Sequence, residues 1–111
     1  MKKLVFIAAL LASSPVHAGA SNFIMVNGTG AGLSELSIRR AGTKDWKPLG
    51  NAPAAGARGN VSFTDPDCAF DIRATVTGKG LVTWAGVNLC DVKSVVLNHD
   101  GSAGAWVDYD Q

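Results

Sequence analysis

Short runs of alternating apolar and polar residues recur along the chain after its first twenty positions. Between 33 and 39, Leu36 and Ile38 alternate with polar neighbours, which is the two-residue period of a strand with one buried face. No eleven-residue window keeps a helical apolar period, and Gly, Asn and Asp separate the runs as turn residues do. The pattern predicts an all-β protein, a small antiparallel β-sandwich of six or seven strands. The candidate strands are 22–26, 33–39, 60–64, 70–77, 81–89, 94–98 and 105–109.

The first two candidate strands are joined by Asn27-Gly28-Thr29-Gly30, whose residues tolerate the backbone of a tight turn. This turn predicts an opening hairpin. Residues 41–60 contain two Pro and four Gly and only two large apolar residues, Trp46 and Leu49. Such a composition indicates a long surface connection.

The two longest candidate strands, 70–77 and 81–89, are separated by Gly78-Lys79-Gly80 and therefore form a hairpin. A three-residue turn centred on the lysine, with no bulge in either strand, would place Cys68 opposite Cys90. The same register places Leu81, Ala85, Val87 and Leu89 together on the face away from the core. We expect another part of the domain to cover this apolar stripe, and a partner surface is the alternative.

The first eighteen residues have the features of a secretory signal. A pair of lysines precedes the nine apolar residues 4–12, and Val16-His17-Ala18 supplies the small residues of a cleavage site. Nine apolar residues cover about half of the roughly 20 that a membrane-spanning helix needs. The prediction is a signal peptide over 1–18, removed on export, and a single β-sandwich domain over 19–111 with no membrane span, located in the periplasm or secreted.

Removal of the signal changes the charge balance. The ten Lys and Arg fall to eight against nine Asp and Glu, so the exported domain has a net charge of −1. A near-neutral domain without a basic run has no electrostatic footprint for nucleic acid or an anionic membrane. The Arg39-Arg40 doublet is interpreted as a solvated strand end.

Cys68 and Cys90 are the two cysteines of a protein sent to an oxidising compartment, where an even count usually means a disulfide. A zinc site would need two further ligands, and His99 is the one histidine of the exported domain. One disulfide is therefore predicted.

Catalytic chemistry finds little support. His99 lies in a polar turn beside Asp100 with no nucleophile pattern near it, and we expect neither an enzyme nor a cofactor. Asp65, Asp67 and Asp100 are weak candidates for a Ca2+ site, because carboxylates are the ligands that Ca2+ prefers. Their spacing lacks the pattern of a calcium loop, and Asp65 and Asp67 are more simply explained as turn residues around a proline.

Trp46, Lys47 and Leu49 are the candidate binding residues. A tryptophan in a polar loop either fixes that loop against the domain or offers a flat apolar face to a ligand. The alternatives differ in whether the indole ring is covered.

Several of these segments resemble a family of small secreted bacterial proteins with no secure activity. The resemblance implies export and a similar fold, and supplies no catalytic residue. The segments are 26–30 (Val-Asn-Gly-Thr-Gly), 36–38 (Leu-Ser-Ile), 46–50 (Trp-Lys-Pro-Leu-Gly), 68–73 (Cys-Ala-Phe-Asp-Ile-Arg) and 87–90 (Val-Asn-Leu-Cys).

The predicted function is a non-enzymatic binding module of the cell envelope or the secreted fraction, with an unidentified envelope protein or glycan as partner. A small inhibitor of an extracellular hydrolase, presenting the loop 43–50, is the first alternative. A Ca2+-binding protein or a metal-dependent enzyme is the second and weaker alternative.

Overall fold

The computed structural model describes residues 19–50 and 52–110, so the predicted signal sequence 1–18 lies outside it. This part of the chain folds into eight strands and contains no helix. Accordingly, none of its segments is a helix with the length and hydrophobicity to cross a bilayer. The strands are β1 (Phe23–Asn27), β2 (Leu33–Arg40), β3 (Lys47–Pro48), β4 (Arg58–Val61), β5 (Ala69–Val76), β6 (Gly80–Asn88), β7 (Ser94–Asp100) and β8 (Gly104–Asp110).

The strands form two four-stranded sheets with the orders β4-β1-β7-β8 and β3-β2-β5-β6. All neighbouring strands are antiparallel except β1 and β7, which run parallel. The all-β prediction is confirmed. The strand beyond the predicted seven is the two-residue β3, which lies inside the segment expected to be a loop.

The predicted opening hairpin is wrong, because β1 and β2 belong to different sheets. The side chain of Asn27 stabilises the segment in which the chain passes from the sheet of β1 to the sheet of β2. Its amide nitrogen donates to the carbonyl oxygens of Ala31 and Pro53 at 2.8 and 3.1 Å, and its oxygen accepts from the Thr29 backbone and hydroxyl at 3.0 and 2.6 Å. The Asn-Gly-Thr-Gly segment is thus a junction between sheets, where a buried amide replaces the strand ladder.

Both sheets contribute side chains to one core. Phe23, Met25 and Leu97 come from the first sheet and pack in the same cluster as Ile72 and Trp84 from the second. The Trp84 indole N–H donates to the Asn98 carbonyl oxygen at 2.7 Å, so the largest buried side chain also bonds across the sandwich. At one edge β6 meets β8, where the Asn88 backbone N–H donates to the Tyr109 hydroxyl at 3.0 Å. The opposite edge, between β2–β3 and the chain after β4, is more open.

The register of β5 and β6 differs from the predicted one. The turn covers residues 77–79, one position earlier than expected, so Val76 pairs with Gly80 and Ile72 with Trp84. Because this shift moves each pair by two residues, the predicted inward face is kept. Val76, Val82 and Trp84 are all buried.

A bulge in β6 overturns the predicted apolar stripe. The register shifts by one residue between Phe70 and Ile72 on the β5 side, and Gly86 has the positive φ of 65° that suits a bulge. Past the bulge, Val87 and Leu89 point into the core and are 0% and 1% exposed. Leu81 and Ala85 stay exposed, so the stripe divides between surface and core.

The predicted disulfide joins Cys68 and Cys90, whose Cα atoms are 5.1 Å apart. The β5–β6 ladder continued by one residue would place Cys68 opposite Leu89, so Cys90 lies one residue further along the chain than the ladder partner of Cys68. The Leu89 N–H donates to the Cys68 carbonyl oxygen at 2.9 Å. Closing a loop of 22 residues stabilises the fold by about 3 kcal/mol in the chain-entropy model. A disulfide is consistent with an oxidising compartment.

Candidate binding site

Trp46 lies half-buried on the outer face of the β3-β2-β5-β6 sheet. The guanidinium carbons of Arg39 and Arg73 lie over its ring, at 4.4 and 4.1 Å from the centroid. Guanidinium groups at this distance are attracted to the electron-rich ring face. The ring therefore fixes the 41–46 loop to the sheet, which corresponds to the first of the two roles considered for this residue.

Asp71 lies next to this stack and is 6% exposed. One carboxylate oxygen accepts from Arg39 Nε at 2.8 Å, and the other accepts from the Gly86 backbone N–H at 3.0 Å. Burial by itself would raise the pKa of Asp71, but the Gly86 hydrogen bond and the charge and hydrogen bond of Arg39 outweigh it and lower the pKa below its usual value. The carboxylate thus links the Trp46 stack to the bulge in β6.

The other two candidate binding residues point elsewhere. Leu49 is half-buried against the core, and its N–H donates to the Leu36 carbonyl oxygen at 2.9 Å. Lys47 pairs with Ile38 in the β2–β3 ladder, and its exposed ammonium group is 3.7 Å from the Asp45 carboxylate. Of the three candidate residues, Lys47 is exposed to solvent, whereas Trp46 and Leu49 are half-buried.

A cleft of about 280 Å³ opens beside this loop, at the open edge of the sandwich. Its apolar lining consists of Ile38, Phe63 and Phe70. Phe63 and Phe70 meet edge to face, with centroids 5.2 Å apart, so the rings form a fixed surface. The polar and charged lining residues are Arg39, Arg40, Thr43, Asp45, Lys47 and Asp65.

Arg40 and Asp65 form one wall of the cleft. Arg40 Nε lies 3.2 Å from both oxygens of Asp65 and 3.1 Å from the Asp67 carboxylate. Desolvation would raise the pKa of Asp65, but the hydrogen bond from the Asp67 N–H and the contact with Arg40 lower it overall. The hydrogen bond and charge of Asp65 in turn raise the pKa of Arg40. The Arg39-Arg40 doublet is therefore a pair of ion-paired wall residues, whereas a solvated strand end was expected.

The three metal candidates are occupied in other ways. Asp65 and Asp67 bind Arg40, while Asp100 accepts the N–H groups of Ser102 and Ala103 at 2.7 and 3.3 Å in the β7–β8 turn, which lowers its pKa. Within residues 19–50 and 52–110, no three His, Cys, Asp or Glu side chains form a group that could hold a metal ion.

The cleft was not predicted from the sequence. Its apolar surface joins residues 32 positions apart in the chain, from Ile38 to Phe70, so no local motif marks it. The one usable signal is that Phe63 lies at the end of a predicted strand, directly before the acidic turn.

No protein-family model and no curated protein matches the chain. The fold is similar to an NMR structure of a protein from Eubacterium rectale, with a TM-score of 0.58 over 89% of this chain and 96% of that one. The two sequences are 14% identical, so the likeness shows the fold alone.

Proposed function

We propose that this protein is an exported, non-enzymatic binding module, and that the cleft beside the Trp46 loop captures a segment of another envelope or secreted protein. The observation that carries the proposal is the cleft itself, with an apolar floor inside a charged rim. Binding sites commonly combine an apolar surface with a few polar groups that fix orientation. Export is supported by the predicted signal sequence and by the Cys68–Cys90 disulfide.

The size of the cleft sets the kind of ligand. At about 280 Å³ it is slightly below the range of small-molecule pockets, which is roughly 300–1,000 Å³. It therefore accepts one side chain or one sugar ring. The rim carries Arg39 and Lys47 as well as Asp45 and Asp65, and this mixture of signs suits a polypeptide segment better than a neutral glycan.

The fixed loop supports a second candidate, a small inhibitor of an extracellular hydrolase. The loop 43–50 is held at three places: Thr43 donates to the Arg40 carbonyl oxygen at 2.8 Å, Trp46 stacks on the arginines, and Leu49 bonds to Leu36. A loop fixed before binding loses little entropy on association. Residual activity of a panel of secreted proteases and glycosidases, measured with excess protein, tests this alternative.

A substitution that blocks the cleft tests the proposal that the cleft binds a peptide segment. Peptides that bind the native protein would be selected from a displayed library and their affinities measured by calorimetry. Asp45→Trp places a large ring on the rim and should weaken binding at least about tenfold, while Lys44→Trp, next in the chain but outside the cleft, should leave it unchanged. Equal affinity for both variants, or selection of no peptide, would reject peptide capture by the cleft.

A further inference from the structure

The outer face of the β4-β1-β7-β8 sheet has an apolar centre. Ile24 and Val26 on β1 and Val96 on β7 point away from the core and remain partly exposed, while their neighbours Met25 and Val95 are buried. Outward-facing positions of a solvated sheet are usually polar. An apolar centre on this face therefore needs its own explanation.

Opposite charges occupy the two edges of the same face. The pairing register places Arg58 beside Val26, Val26 beside Val96, and Val96 beside Asp108. One row across the sheet thus begins with a cation on β4 and ends with an anion on β8. Among residues 19–50 and 52–110, neither Arg58 nor Asp108 has an ion-pair partner.

This pattern is complementary to itself. A two-fold axis that lies in the plane of the face, parallel to the strands and between β1 and β7, brings β4 of one copy over β8 of the other. Arg58 then faces Asp108 of the second copy, and Val26 faces Val96, in both halves of the interface at once. An isologous contact requires this reciprocity between the two subunits.

The neighbouring rows are compatible with the same axis. Asn60 falls opposite Asp110, and Ile24 falls opposite the small Ser94. Trp106, which is 43% exposed, pairs with Asn98 in the next row and falls opposite the small residues near Gly56. The largest side chain of the face therefore meets the part of the opposite edge with the least bulk.

We propose that this face is the interface of a homodimer, formed by a second copy of the chain. Four strands at about 4.8 Å spacing and three rows of residues give a footprint of roughly 400 Å² per copy. The total of roughly 800 Å² is below the roughly 1,200–2,000 Å² of stable specific interfaces, so the dimer is expected to be weak and transient. The proposal is independent of the cleft, which lies on other residues.

Sedimentation velocity tests the dimer proposal, with protein expressed from residues 1–111 and studied over roughly a hundredfold concentration range. We expect a reversible monomer–dimer equilibrium that weakens at high salt, because the edge ion pairs are screened. Arg58→Glu places like charges opposite each other and should raise the dissociation constant about tenfold or more. The double variant Arg58→Glu with Asp108→Arg restores opposite charges and should recover association.

Lys44→Glu is the matched control, since it makes the same charge change on a loop of the other sheet. Circular dichroism establishes that each variant keeps the fold. A protein that stays monomeric at every concentration, or a dimer that Arg58→Glu and Lys44→Glu affect equally, would overturn the proposal.

Discussion

On the outer face of the β3-β2-β5-β6 sheet, the part around β2, β3 and β5 is covered by its own chain. The Trp46 ring is held there by Arg39 and Arg73, and the Asp71 carboxylate is buried beside it. The outer face of the β4-β1-β7-β8 sheet instead leaves Val26 and Val96 partly exposed between Arg58 and Asp108. Asp108 accepts a hydrogen bond from the neutral Asn98 amide at 3.0 Å, and neither charged group has an ion-pair partner within residues 19–50 and 52–110. On the first face, charges and aromatic ring are satisfied internally. On the β4-β1-β7-β8 face, the charged groups and Trp106 are available to another molecule. Equivalent substitutions should therefore affect stability on the Trp46 face and association on the β4-β1-β7-β8 face.

The largest contrast is expected between two aspartates. Asp71→Ala leaves the Gly86 N–H without its acceptor and Arg39 without its partner, and should lower the free energy of unfolding by about 2–3 kcal/mol. Asp108→Ala removes an exposed carboxylate and its hydrogen bond from the Asn98 amide, and should change the free energy of unfolding by less than about 1 kcal/mol. Urea denaturation of dilute protein measures both. Equal losses would show that the two faces do not differ in this way.

Two tryptophans give the next contrast. Trp46→Ala removes two guanidinium–ring contacts and should cost about 1–2 kcal/mol in unfolding free energy. Trp106→Ala should cost less than Trp46→Ala, under about 1 kcal/mol at low concentration, because Trp106 is 43% exposed. The same denaturation experiment measures them. If Trp106→Ala were the more destabilising change, its ring would have to be packed within the monomer.

A smaller effect is expected at the β6 bulge beneath the Trp46 stack. Gly86→Ala puts a side chain on a residue with a φ of 65° and should cost about 1 kcal/mol. Gly101→Ala, in the β7–β8 turn, is the control, since Gly101 is not among the glycines with positive φ and a Cβ added there would meet no other atom within 4 Å. Thermal unfolding distinguishes them, and a neutral Gly86→Ala would mean that the bulge does not depend on glycine.

The strands could be predicted because alternation and turn residues are local signals. The register could not, because a turn centred one residue earlier and a single bulge at Gly86 are both compatible with the same alternation. A glycine inside an alternating run is a known sign of a bulge, and it could have warned that Val87 and Leu89 change face. The Trp46 stack needed the pairing of β2 with both β3 and β5, which joins residues far apart in the chain.

The smallest expected effect is the pH dependence of stability that Asp71 contributes. Because the folded-state pKa of Asp71 is lowered, its contribution to stability is present above the unfolded value of about 3.9 and is lost as the pH falls through the folded value. The native protein should therefore lose more stability than Asp71→Asn between about pH 5 and pH 2. Asp65, whose pKa is also lowered, titrates in both proteins and cancels in the difference. Parallel pH profiles would show that Asp71 contributes no acid-sensitive stability.

An NMR dilution series tests most directly the claim that the Trp46 region of one outer face is covered by its own chain, whereas the other outer face associates. Amide shifts are followed from dilute to concentrated protein. The account predicts that amides of Val26, Val96 and Asp108 move together with one dissociation constant, while those of Arg39, Trp46 and Arg73 stay fixed. Shifts that do not depend on concentration, or that change around Trp46 and not around Val96, would contradict it.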